Sequence, residues 1–266
     1  MKVLVVGAGN MGKTYLRGFM ASRFIEPSNI YVLSRTEQSL STLPEVPVEN
    51  KHTQVGEYIS QVDIIIIAVK PQDFPSLSEK LAPYVTPSQL VLSIMAGITI
   101  SELENRLHTD KIVRAMPNLP SQTGMGMTVF TASAAMDRKD LFIVQNLINT
   151  TGKSVYVENE SMIDAATAVS GSGPAYVYFF MQAMIDAAQQ MGFTQSQAEL
   201  LVNQTFLGAV LLQNQSNLTC NEWVEKVASR GGTTEAALSV MKNHNIKSGI
   251  EEALHAALQR SRELGK

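Results

Sequence analysis

Short aliphatic, β-branched runs alternate with amphipathic stretches through the first 158 residues. The runs are Lys2–Val6, Ile30–Leu33, a weaker one near Val46–Val48, Asp63–Val69, Leu90–Ser93 and Lys111–Ala115, followed by Met127–Thr131 and Ser154–Val157. Ile64-Ile65-Ile66-Ile67 is apolar at every position rather than at alternate ones, which argues for a strand covered on both faces. Strand–helix alternation of this kind predicts a doubly wound α/β domain with a mostly parallel sheet and ligands at the carboxyl ends of its strands. The last two strands follow a long loop and are expected to run antiparallel at the edge.

Past Glu158 the β-branched runs stop, alanine rises and the pattern is helical. A boundary at this point divides the chain into a sheet domain, 1–158, and a helical domain, 159–266. Ser161 with Asp164 has the form of a helix N-cap, and a long helix is expected from there through Met191, broken around Gly171–Pro174 and ended by Gly192. Thr194 or Ser196 caps the next helix, to about Gln213. Shorter helices are expected over Cys220–Ala228, Thr234–Lys242 and Ser248–Arg262. Val177, Phe179, Phe180, Met181, Met184 and Ile185 wrap most of one helix rather than one stripe, which demands burial on several sides. The segment is too small to supply that cover alone. A dimer through intertwined helices is therefore expected, the alternative being a compact monomeric bundle.

Composition narrows the partners. A chain of 266 residues, 45% hydrophobic, can bury a substantial core. Its net charge of −3 comes with no basic run, which argues against nucleic acid. Apolar stretches such as Ile64–Val69 are too short to span a bilayer, and the N-terminus enters a strand with no signal-peptide pattern. Cys220 is the single cysteine, so no intrachain disulfide forms and a reducing cytoplasm is the simplest setting. The four histidines are scattered without ligand spacing, and no metal site is expected.

The most specific chemistry lies at the start. The first strand breaks into Gly7-Ala8-Gly9-Asn10-Met11-Gly12, and a helix, Asn10 to Ser22, follows. In this strand–turn–helix setting Gly7 permits the tight turn, Gly9 lets backbone approach a pyrophosphate and Gly12 lets the helix pack on the strand, with the helix's first amides facing the phosphates. The second strand ends in Ser34-Arg35-Thr36, where a carboxylate selective for a ribose 2′-hydroxyl would stand. A hydroxyl and a guanidinium suit a 2′-phosphate instead, so NADPH is favoured over NADH; the alternative is that Arg35 only stacks on the adenine.

Three further strand ends carry candidates. Ala68-Val69-Lys70-Pro71 places a cation where it can meet cofactor phosphate or ribose, or lie in solvent. Ala96-Gly97 offers small residues beside a flat ring. Asn118 stands in a loop made rigid by Pro117 and Pro120, where it can orient a carboxamide or a water. In the helical half, Ser170-Gly171-Ser172-Gly173-Pro174 interrupts a helix at a cost in stability, a sign that backbone or ligand comes close. Gly231-Gly232-Thr233-Thr234 at a helix start forms a nest of amides for an anion such as a carboxylate, or simply a capped turn.

Taken together, Gly7–Gly12, Ala68–Gln72, Arg114–Pro120, Asp164–Tyr176, Gln204-Thr205 with Gly208-Ala209, and Gly231–Thr234 resemble the pyrroline-5-carboxylate reductases over almost the whole chain. The resemblance implies reduction of the cyclic imine Δ1-pyrroline-5-carboxylate to L-proline by NADPH or NADH, the last step of proline biosynthesis. It implies a Rossmann-type domain and a helical dimerisation domain, with dimers that assemble into decamers in several members. It also implies that the Gly231–Thr234 amides hold the substrate carboxylate and that Thr234 Oγ1 meets the ring nitrogen. Ser34 and Arg35 would take the 2′-phosphate, and Val69, Lys70 and Ala96 would line the cofactor, the site lying between the nucleotide domain and the helical domains of both subunits. Leu119 and Arg230 depart from the family's usual threonine and proline, and Thr219-Cys220 replaces its usual turn. Two rival readings are a 3-hydroxyacid dehydrogenase, which needs a lysine shortly after the glycine break where this chain has Pro-Ala-Tyr-Val-Tyr, and a catalytically silent cofactor-binding regulator.

Overall fold

The computed structural model describes residues 1–264. The chain forms two compact units, Met1–Ser172 with the segment from Ala257, and Gly173–Ala256. By packing, the first unit thus runs past the composition change at Glu158 and takes back the end of the last helix. The reason is local: the segment after Glu158 is tied to the sheet by Arg114, whose guanidinium reaches Glu160 at 2.9 Å and Asp164 at 3.3 Å.

The first unit is built on eight strands in the order β3-β2-β1-β4-β5-β6-β7-β8. These are β1 Val3–Val6, β2 Ile30–Leu33, β3 Lys51–His52, β4 Ile64–Ile67, β5 Leu90–Ser93, β6 Ile112–Met116, β7 Gly126–Ala132 and β8 Gly152–Tyr156, with a short helix α2, Glu37–Ser41, between β2 and β3. β1 to β6 run parallel, β7 pairs antiparallel with β6, and β8 runs with β7, as expected for the last two strands. Val3 stands in register with both Ile30 and Ile64. Alternate side chains of the fully apolar strands feed two separate cores. Val3, Val5, Ile64 and Ile66 pack with Tyr15, Leu16 and Phe19 of α1 (Asn10–Ala21) and with Val144, Leu147 and Ile148 of α5 (Arg138–Asn149). Leu4, Val6, Ile65 and Ile67 pack with Phe74 and Leu81 of α3 (Phe74–Leu81) and with Leu103 and Leu107 of α4 (Ile100–Leu107). The all-apolar runs are what a sheet sandwiched between two helical layers requires.

Two expected elements differ. Val46–Val48 is not a strand: Val48–Asn50 is a 3₁₀ turn and β3 is the two residues after it. Pro47 has no N–H for a ladder, and Asn50 instead ties the segment to β2 by donating to Ser28 O (2.9 Å) and Ile30 O (3.1 Å). Ser161 precedes α6 (Met162–Ala166) without a side-chain cap bond: its backbone is already helical (φ −62°, ψ −18°), and its hydroxyl donates back to Asn159 Oδ1 at 2.8 Å. α6 widens into a π-helical turn, Thr167–Gly171.

The second unit holds α7 (Gly173–Gln190), α8 (Gln195–Asn214), α9 (Cys220–Val227), α10 (Thr233–Asn243) and most of α11 (Ile246–Leu264). Gly192, at φ +104°, ends α7, and Thr194 with Gln197 closes a reciprocal cap at the head of α8. Among the described residues of this unit, only Ala198 and Val202 are buried apolar side chains. Phe179 of α7 is 74% exposed and Leu200 of α8 is 69% exposed. Such faces require cover from outside the unit.

Candidate active site

The carboxyl ends of β1, β2 and β4 open into a cleft of about 440 Å³. Its floor is the glycine turn. Gly7 takes φ +106°, a conformation that excludes side chains, and donates to Leu33 O at 2.8 Å. A Cβ on Gly7 would stand 2.8 Å from Ala68 O, and one on Gly12 would collide with Gly7 O. Gly9, by contrast, faces open space. It caps α1 with no side-chain bond, and the first bond into the turn comes from Lys13 N to Gly9 O at 2.9 Å. The amides of Asn10, Met11 and Gly12 are thus the orphan donors of a helix start, aimed where an anion is stabilised.

One wall is Ser34-Arg35-Thr36 at the end of β2, Ser34 buried and Arg35 exposed. Ser34 N donates to His52 O at 3.0 Å, so this wall is braced by β3. The His52 ring stacks on Tyr58 with centroids 3.6 Å apart, and Tyr58 Oη donates to Gln54 O at 3.0 Å. That stack holds Thr53-Gln54-Val55 along the cleft. Burial lowers the His52 pKa below its ordinary value and raises that of Tyr58, so the stack favours the uncharged form of both rings. The opposite wall is Ala68-Val69-Lys70 and one face of α3 with its lead-in turn, Asp73, Ser76, Leu77 and Lys80. Three cations, Arg35, Lys70 and Lys80, line the cleft against one acid, Asp73. On a chain of net charge −3 this marks a local seat for a polyanion.

The expected residues are partly gathered. Gly7, Ala8, Gly9, Ser34, Arg35, Ala68, Val69 and Lys70 share this cleft. Asn10, Met11 and Gly12 open α1 directly after it, and Pro71 begins the turn after Lys70. Ala96 and Gly97 follow β5, and Asn118 follows β6, beyond the cleft's lining. Asn118 is already engaged: Nδ2 donates to Ser170 O at 3.1 Å and Oδ1 accepts from Met127 N at 2.8 Å. Thr36, Ser39, Thr53, Asp73, Ser76, Leu77 and Lys80 were not singled out by sequence. The spacing of 73, 76, 77 and 80 is that of one helix face and is the signal that identifies the α3 contribution.

The Gly231–Thr234 turn lies in the second unit. Gly231 takes φ +73° and Gly232 stands before α10 without a side-chain cap bond. Gly232 N donates to Ser229 O at 3.0 Å, while Gly231 N donates to the Glu235 carboxylate at 2.6 Å. The helix therefore already sets a carboxylate of its own on one amide of the nest. Thr233, Thr234 and Glu235 amides remain as first-turn donors.

A family model described as pyrroline-5-carboxylate reductase dimerisation matches residues 160–264, and one described as NADP oxidoreductase, coenzyme F420-dependent, matches residues 2–97. A pyrroline-5-carboxylate reductase of Pseudomonas aeruginosa is 34% identical over 266 residues, covering 100% of this chain and 97% of that protein. The chain belongs to the pyrroline-5-carboxylate reductase family. Among solved structures, a reductase of this family from Coxiella burnetii superposes with a TM-score of 0.91 at 32% identity, over 100% of this chain and 98% of the other. The Plasmodium falciparum enzyme, solved with NADP bound, superposes with a TM-score of 0.90 at 28% identity over the same shares. A prephenate dehydrogenase of Aquifex aeolicus, at 17% identity and TM-score 0.54, shares the fold alone. No helix among the described residues is long and apolar enough to cross a membrane, and none of their acidic, histidine and cysteine side chains cluster as a metal site.

Proposed function

We propose that this chain reduces the imine of Δ1-pyrroline-5-carboxylate to L-proline with hydride from NADPH or, less favourably, NADH, the closing step of proline biosynthesis. The observation that carries this reading is the glycine-floored, cation-lined cleft on a chain similar over its full length to reductases of this family. The cleft fits a dinucleotide on its own chemistry: open space over Gly9, unpaired amides at α1 and cations on both walls. Asn10, Met11 and Gly12 amides hold the pyrophosphate, Ser34 and Arg35 hold the 2′-phosphate, and Ala68, Val69, Lys70, Pro71, Ala96 and Gly97 flank the remainder. Bound there, the reduced nicotinamide supplies the hydride.

The Gly231–Thr234 turn receives the substrate carboxylate on the unpaired amides of Thr233 and Thr234, and on Gly231 N once the Glu235 carboxylate yields it, and Thr234 Oγ1 meets the ring nitrogen. The imine arrives protonated, so no strong general acid is required of the chain, and its work is alignment and exclusion of water. This suits the residues present, which include no lysine in the stretch directly after Gly173, Pro174 to Met181. The functional division, 1–158 for the nucleotide and 159–266 for dimerisation and substrate, follows from the same reading. So does a cytoplasmic homodimer, open to further assembly into the decamer that the resemblance allows; the uncovered faces of α7 and α8 support the dimer. Mixing purified protein, NADPH and pyrroline-5-carboxylate tests the proposal: absorbance of the reduced cofactor falls and proline accumulates. Cofactor binding without turnover would favour the silent regulator. Light scattering at micromolar concentration tests the dimer, which a monomeric mass would end.

A further inference from the structure

We propose that Asn118 is a positioning residue for hydride transfer, which acts by clamping the π-helical turn Thr167–Gly171 to the carboxyl end of β6 and the first residues of β7. The proposal rests on the reading above and concerns a side chain expected to touch the cofactor itself. Both ends of its amide are spent on protein: Nδ2 on Ser170 O at 3.1 Å and Oδ1 on Met127 N at 2.8 Å. A π turn takes one residue more than an α-turn, which disturbs the regular pairing of its carbonyls. Here Ser172 N closes the turn on Thr167 O at 2.8 Å, and Asn118 supplies a donor to Ser170 O. The fit is tight, since a Cβ on Gly171 would stand 3.0 Å from Met116 Cε.

The place of this clamp in the sheet gives it a role. With the pyrophosphate over β1 and the 2′-phosphate toward β2, the nicotinamide half of the cofactor extends the other way, over β4, β5 and β6. β6 stands three strands from β1, roughly 14 Å at the usual strand spacing. Asn118 therefore holds the far wall of the crevice, where a displacement of an ångström in the reacting groups is costly. Asn118 would set that wall without contacting the ring.

Asn118→Asp keeps an acceptor for Met127 N and removes the donor to Ser170 O, with Asn118→Ser as a second variant should the first not fold. The expected result is an NADPH dissociation constant within about twofold of wild type, kcat lowered roughly tenfold, and a larger primary isotope effect with deuterated NADPH. A merely structural role would lower the thermal midpoint and the active fraction and leave the isotope effect unmoved. Wild-type kcat and isotope effect in the variant would overturn the proposal. So would a cofactor affinity weakened more than about tenfold, which would make Asn118 a direct ligand. If the wild-type chain binds NADPH but reduces no pyrroline-5-carboxylate, it is the function reading that fails. Amide exchange at Ser172 then decides for the clamp: faster exchange in Asn118→Asp supports it, and equal exchange overturns it.

Discussion

Arg114→Met tests whether the candidate site is held by a buried charge. The guanidinium sits in β6 with its side chain 4% exposed, bonded to Glu160 (32% exposed) and Asp164 (19% exposed). An ion pair in water contributes ~0–1 kcal/mol, whereas removing one member of a buried pair costs about 3–5 kcal/mol. This network lies between, with a dry cation and partly wetted acids. Two bonds to charged groups represent roughly 3–6 kcal/mol. Against that, Arg114 Nε is buried with no acceptor, and methionine relieves a penalty of about 1–3 kcal/mol. Methionine also fills the space, so the mid-range net loss is about 2.5 kcal/mol, or roughly 5–10 °C for a unit of this size. The acids do not collapse, because Glu160 still accepts from Ile100 N at 2.9 Å and Asp164 from Ser261. Scanning calorimetry on the nucleotide-binding transition reads the effect. Adding Glu160→Gln and Asp164→Asn to Arg114→Met neutralises the stranded carboxylates and returns most of the loss. A single variant within about 1 kcal/mol of wild type, or a triple variant no better than the single, would refute the reasoning.

Four other outcomes are expected. Gly12→Ala drives a methyl into Gly7 O, costs about 1–3 kcal/mol of stability and weakens NADPH binding in a fluorescence titration. Arg35→Ala removes an exposed charged donor, lowers NADPH affinity about 5–30-fold and spares NADH; equal losses would remove the 2′-phosphate role. Thr234→Ala lowers kcat/KM roughly 10–100-fold, about 1.4–2.7 kcal/mol, and wild-type kinetics there would take Thr234 out of the mechanism. His52, with its folded pKa lowered by burial, binds fewer protons folded than unfolded. Its contribution is therefore present above about pH 6.5 and lost as pH falls through the folded value. Denaturant midpoints from about pH 8 to about pH 5 should fall less in His52→Phe, which keeps the stack without titrating.

The parts of the site made by backbone were legible in sequence. Each glycine of the turn has its own steric signature in the structure: the positive φ of Gly7, open space over Gly9 and close packing at Gly12. Strands with one burial requirement, such as Ile30–Leu33 and Leu90–Ser93, were placed to the residue. What failed depended on partners distant in the chain. Val46–Val48 has strand propensity, but Asn50 bonds to residues about twenty positions earlier and sets a turn there. Ser161 failed for a local reason instead: its backbone is already helical and its hydroxyl turns back to Asn159. Asn118 was read from its prolines, which say that a loop is rigid and nothing of what it grips. No expectation fell on Lys80, since only the fold turns that face of α3 into the cleft.

The near-absence of an interior in the helical unit, with Ala198 and Val202 as its buried apolar side chains, has a consequence for how the chain persists at dilution. A module that borrows its oil from a neighbour obeys mass action, so its melting point climbs with concentration while that of the sheet unit stays fixed. Newly made chains at low abundance would then carry a finished nucleotide pocket alongside unfinished helices, and proteases would find the latter first.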